Sequence, residues 1–194
     1  VNADANATTD AAEFQGIIEA GGEVALREGE YTLPTSDIAK DLTLIGNGEV
    51  VIKTQQSSSG RAIEVMDDVK LVLDGITFEG NGGIGIKQVG EDYTFEIKNC
   101  TFNGYDTAIQ LFHSNGGSIT NCVFDSEKVD ISLTDNQKEI VISDNTYTAG
   151  LDENIGIGRA TTDGTDNYSF ENVTIEDDDA KVHYYVGGVV VTWP

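Results

Sequence analysis

Apolar and polar residues alternate along this chain in short runs that stop, bend and resume, and the interruption recurs. Five stretches show it: Leu71–Phe78, Phe95–Phe102, Gly117–Phe124, Ile140–Tyr147 and Tyr168–Ile175. The third position of each is Leu73, Ile97, Ile119, Ile142 and Phe170, and the eighth is always aromatic or Ile. Successive copies lie 24, 22, 23 and 28 residues apart, and Leu42–Gly46 is an earlier, shorter copy. Alternation on both sides of one break predicts strand, bend, strand.

The break falls on Gly46, Gly75, Asn99, Asn121, Asp144 and Asn172. A one-residue bend between strands favours the left-handed backbone conformation, which Gly reaches freely and Asn or Asp more readily than other residues. Stacked Asn side chains can also hydrogen-bond along a column. A further apolar strand lies between copies, at Ala62–Val65, Ile84–Ile86, Ala108–Leu111, Val129–Leu133, Ile155–Ile157 and Lys181–Tyr184. Each repeat therefore supplies three short strands, and stacking repeats buries one apolar column. A sandwich of hairpins would want two-residue Gly-containing turns between paired strands, and the repeats do not supply them. The expected fold is all-β: a parallel β-helix, or solenoid, of about six coils.

A bare solenoid end exposes core and sheet edges, so it needs covering. Residues 10–20 predict a helical cap. Phe14, Ile17 and Ile18 share one face, Asp10 with Glu13 resembles a capping box, and Gly21-Gly22 ends the helix. The expected layout is a flexible segment at 1–9, a solenoid with its cap over 10–185, and an apolar strand or linker at 186–194. That last segment either covers the open end or pairs with another subunit.

The run Glu13–Leu33 followed by Leu42–Gly48 (LTLIGNG) resembles the opening of the pectate-lyase-like single-stranded right-handed β-helix superfamily. The resemblance extends from about residue 10 to about 185, and it implies the right-handed solenoid. It defines no single activity, because adhesin-like and tailspike-like members share the fold with lyases and hydrolases.

Charge narrows the field. The chain has 194 residues with 34 acidic against 11 basic, a net charge of −23. Such a surface repels nucleic acid and anionic lipid, so neither is an expected partner. No run has the length of a membrane span. The expected location is extracellular, on a cell surface or on a virion. Expected partners are other protein subunits or cell-surface glycans, with homopolymer formation through the solenoid ends or the C-terminal strand.

Candidate chemistry is sparse. Lyases of the resembled superfamily use calcium-binding acids with an Arg or Lys base, and Arg159 is the best-placed of the three arginines here. The hydrolases use paired carboxylates, for which Asp106, Asp130 and Asp152 are candidates. Their sequence motifs are absent, so the chain is read as leaning away from catalysis, and no catalytic residue is assigned. Tyr93, Tyr105, Phe112 and Tyr168 are candidate outward aromatics for stacking on sugars. No cofactor is expected, with calcium at Asp177, Asp178 and Asp179 as the one ion weighed. His113 and His183 are read as surface residues. Cys100 and Cys122 occupy equivalent positions of neighbouring repeats and should stack inside the column as buried free thiols, since Cβ atoms one rung apart sit slightly beyond relaxed disulfide geometry; a bridge requires the coils to tilt. Asn99 and Asn172 sit in glycosylation-type triplets, which the bend followed by a strand Thr already explains.

Overall fold

The computed structural model describes residues 3–5, 10–88, 90–134, 138–158, 173–186 and 189–191. The chain opens with strand β1 (Ala3–Ala5) and helix α1 (Ala11–Ala20). Asp10 caps the helix, its Oδ1 accepting the Glu13 N–H at 2.9 Å. Gly21 ends it at φ 73°, donating its N–H to the Ile18 carbonyl. Phe14 and Ile18 are buried beneath the helix, and the Phe14 ring packs on Tyr31 with centroids 5.0 Å apart. The predicted cap is therefore present. β1 pairs in parallel with β2 and covers part of the edge of the first coil.

The coils follow in order. The first is β2 (Gly22–Leu33) with β3 (Ser36–Ile38), and the second is β4 (Leu42–Thr54) with β5 (Arg61–Val65). The third is β6 (Lys70–Asp74), β7 (Thr77–Glu79) and β8 (Ile84–Gln88). The fourth is β9 (Thr94–Lys98) with β10 (Thr101–Leu111), and the fifth is β11 (Gly117–Thr120) with β12 (Val123–Leu133). The sixth is β13 (Ile140–Ser143) with β14 (Ile155–Ile157). A partial turn, β15 (Val173–Ile175) and β16 (Val182–Val186), lies beneath it, and β17 (Val189–Val191) folds back antiparallel on β16.

Every coil-to-coil pairing is parallel. One inward column runs Leu44, Leu73, Ile97, Ile119, Ile142 and Ile175. Another runs Ile63, Ile86, Ile109, Ile131, Ile155 and Val182. A third is aromatic. Phe78 and Phe102 stack at 5.2 Å, Phe102 and Phe124 at 5.6 Å, and Phe124 and Tyr147 at 5.8 Å, all within 14° of parallel. Like side chains stack because in-register coils place the same repeat position at the same height, about one rung of 4.8 Å apart.

Two features of the repeat differ from the sequence reading. Gly46 is not a left-handed bend, and β4 runs through it. A Cβ there would sit 2.3 Å from the Gly75 carbonyl oxygen, so glycine is required by close approach of the next coil. The last copy is also shifted. Ile142 pairs with Ile175 and not with Phe170, which puts Asp177 at the bend position of the final turn. Asn172 lies outside the described residues.

Candidate functional site

The corners between sheets hold most of the polar organisation. Gly75, Asn99, Asn121 and Asp144 have φ of 69°, 54°, 51° and 59°, the left-handed geometry expected of them. Asn121 Nδ2 donates to Asn99 Oδ1 at 2.6 Å, and Asn99 Nδ2 donates to Asp74 Oδ1 at 2.7 Å. The side-chain ladder thus ends on Asp74, because the bend residue beside it, Gly75, has no side chain to continue it. At the other end, Asp177 accepts the Asn145 N–H at 3.1 Å, Asn145 Nδ2 at 2.9 Å and the Tyr147 hydroxyl at 2.7 Å. Its carboxylate closes the last complete coil, an engagement that competes with the calcium role weighed for it. Asp178 and Asp179 are exposed. Among the described residues no group of three or more His, Cys, Asp or Glu is arranged to hold a metal ion.

Two of the four candidate sugar-stacking aromatics point inward rather than outward. Tyr93 and Tyr105 are each 1% exposed and belong to the core. Tyr93 shares strand parity with Phe95 and Ile97, so the inward column simply extends to the corner. Tyr105 is turned inward by Gly104, whose φ of 74° accompanies a register shift in β10 and reverses the parity that strict alternation gives. Its hydroxyl donates to Thr54 Oγ1 at 2.9 Å while Thr54 donates to the Glu79 carbonyl. The ring needs Gly80, where a Cβ would lie 2.3 Å from Tyr105 Cε1. Burial pushes both tyrosine hydroxyls above their ordinary pKa. Phe112 is half-buried, and its N–H donates to Gln88 Oε1. Arg159 and Tyr168 lie outside the described residues.

The three carboxylates weighed as catalytic acids sit in different surroundings. Asp130 is fully buried on β12, one coil after Ala108. It accepts from Thr148 N–H at 3.1 Å, Thr148 Oγ1 at 2.6 Å and Asn154 Nδ2 at 2.9 Å. Asp106 pairs with Lys128 at 2.7 Å on the surface. Asp152 is exposed.

Two arrangements were not read from the sequence. Asp67, Asp68, Glu91 and Asp92 line a recess of about 370 Å³ where two coils turn from β5 to β6 and from β8 to β9. Asp67 Oδ1 accepts the Glu91 N–H, and Asp68 N–H donates to the Glu91 carbonyl, so these acids also splice one turn to the next. On the last turns, Glu153 is 6% exposed and its Oε2 meets His183 Nδ1 at 3.2 Å and the Tyr185 hydroxyl. A carboxylate so placed orients the imidazole. The signal available was register alone: His183 lies opposite Gly156, leaving Glu153 within reach across the coils.

These features define a parallel β-solenoid whose corners are held by side-chain ladders. The chain belongs to the family of right-handed β-helix regions, whose model matches residues 35–192. No curated protein and no solved structure gives a significant match.

Proposed function

We propose that the chain is a non-catalytic β-helix module of an extracellular or virion surface, acting in adhesion, display or self-assembly. The observation that carries this reading is the C-terminal end. β17 turns back on β16 with Val189 64% and Val190 49% exposed, and among the described residues its other edge has no partner strand. Apolar side chains on an open edge are a template for strand addition. The rest of the molecule suits a rigid carrier. Its inward columns are continuous, Asp130 is engaged by Thr148 and Asn154 and Asp106 by Lys128, and a net charge of −23 keeps copies apart except at such a contact.

Light scattering after gel filtration, with negative-stain images of the same sample, tests the assembly form of this reading. Self-association that rises with concentration and disappears in the V189K/V190K double variant is the expected result. A native chain that stays monomeric at every concentration sinks self-assembly and leaves display. A second reading, a polysaccharide lyase or hydrolase, is favoured by Glu153, His183 and Tyr185. It requires turnover of a polysaccharide that His183→Ala abolishes, and it falls if a broad panel shows none.

A further inference from the structure

We propose that Cys100 and Cys122 form an oxidisable pair that closes a disulfide between the fourth and fifth coils. Both thiols are free and buried, at 1% and 0% exposure. They are held one rung apart by contacts on both sides. The Asn121–Asn99 bond of 2.6 Å immediately precedes them, the Val123 N–H donates to the Cys100 carbonyl at 2.9 Å, and the Phe102–Phe124 stack follows. A rung of about 4.8 Å falls inside the range of Cα separations that disulfides span, roughly 4.4–6.8 Å.

The sulfurs also lean together. Cys100 Sγ donates to the Lys98 carbonyl at 3.2 Å. Cys122 Sγ reaches out of its own coil to the Ile97 carbonyl, at 3.7 Å, as well as to the Thr120 carbonyl at 3.4 Å. Both sulfurs therefore gather at the Ile97–Lys98 edge of the fourth coil. The neighbouring Cys122 sulfur and burial push the Cys100 thiol up, while the Cys100 S–H, turned from the Lys98 carbonyl, would hydrogen-bond a Cys122 thiolate and so lowers Cys122.

With a small-molecule disulfide as oxidant, the Cys122 thiolate attacks one of its sulfurs and expels a thiolate. Cys100, deprotonated in turn, then attacks the Cys122 sulfur and expels the second. The two protein protons end on the two released thiols, and two electrons pass to the oxidant. Because both sulfurs are buried, the oxidant reaches them during folding or when the coils part.

The test uses the whole chain by two routes: native protein incubated with oxidised glutathione, and reduced protein refolded in a glutathione redox buffer. Intact mass, peptide mapping and thermal unfolding follow each. The expected product, by the refolding route at least, has lost the mass of two hydrogens and yields a peptide joining residues 100 and 122. Its unfolding midpoint should rise by about 5–10 °C, reversed by a reductant, as a cross-linked loop of this length implies. Two titratable thiols after both routes overturn the proposal. So does a product carrying only glutathione adducts, which would show that the sulfurs are reactive but cannot meet.

Discussion

Asn121 combines two separable contributions, a left-handed backbone and a rung of the side-chain ladder, and three substitutions tell them apart. Its φ is 51°, and its Nδ2 bonds Asn99 Oδ1 at 2.6 Å on an exposed corner. Alanine loses both. An L-residue in that conformation costs roughly 1–2 kcal/mol, and an exposed hydrogen bond contributes about 0.5–1.5 kcal/mol, so Asn121→Ala should destabilise by about 2 kcal/mol. Glycine adopts the conformation freely and loses the bond, at an added cost of roughly 0.5 kcal/mol or more in unfolded-chain entropy, so Asn121→Gly should cost about 1–1.5 kcal/mol. Asn121→Asp keeps a tolerated backbone and removes the donor, placing a carboxylate against the acceptor Asn99 Oδ1, and should fall between them. Urea unfolding with the m-value held constant measures the differences. If alanine is as stable as glycine, the bend is not what selects these residues, and the backbone account of the corner is wrong.

Phe102→Ala should cost about 4 kcal/mol, because the backbone rungs hold Phe78 and Phe124 apart and the gap cannot close; Phe102→Leu keeps most of the volume and should cost about 1–2 kcal/mol, both read by urea midpoints. Asp130→Ala strands Thr148 and Asn154 donors in a buried corner and should cost about 3 kcal/mol in the same assay, against near-neutrality for Asp152→Ala. Tyr93, Tyr105 and Tyr147 all have their pKa raised by burial, with Asp177 adding to the effect at Tyr147. Above the unfolded pKa of about 10 the folded chain binds more protons than the unfolded one. The stabilisation these tyrosines give is therefore complete below that pH and is lost as pH rises. An ultraviolet titration should show them ionising only with unfolding, and Tyr93→Phe and Tyr105→Phe should flatten the alkaline loss.

The columns were legible because a solenoid writes the same chemistry at one height per coil. Leu73, Ile97, Ile119 and Ile142 recur at one repeat position, and the bend residues from Gly75 to Asp144 follow two positions after them. What alternation could not show is parity reversal. Gly104 inserts a residue, and Tyr105 changes sides with it. The register of the final turn is hidden because Tyr168–Ile175 imitates the repeat in sequence, whereas strand pairing sets Ile175 opposite Ile142. Gly46 imitated the bend for another reason: it is small because Gly75 leaves no room. The corner around Asp130 and the Glu153–His183 contact depend on residues 18 to 30 positions apart meeting where no repeat position marks them.

The directional ladder has an evolutionary side. Each amide donates towards the coil before it, from Asn121 to Asn99 to Asp74. Phe95 stands in register with Gly117, so residues 95–116 are one complete turn of the helix. A tandem duplication of that segment would add an Asn to the ladder, a sulfur to the cysteine stack and a ring to the aromatic column, with each new group meeting a copy of the partner it left. The length of this molecule is thus a heritable variable that replication slippage can change in whole steps, while Asp74 and Asp177 remain as fixed bookends between which turns can be gained or lost.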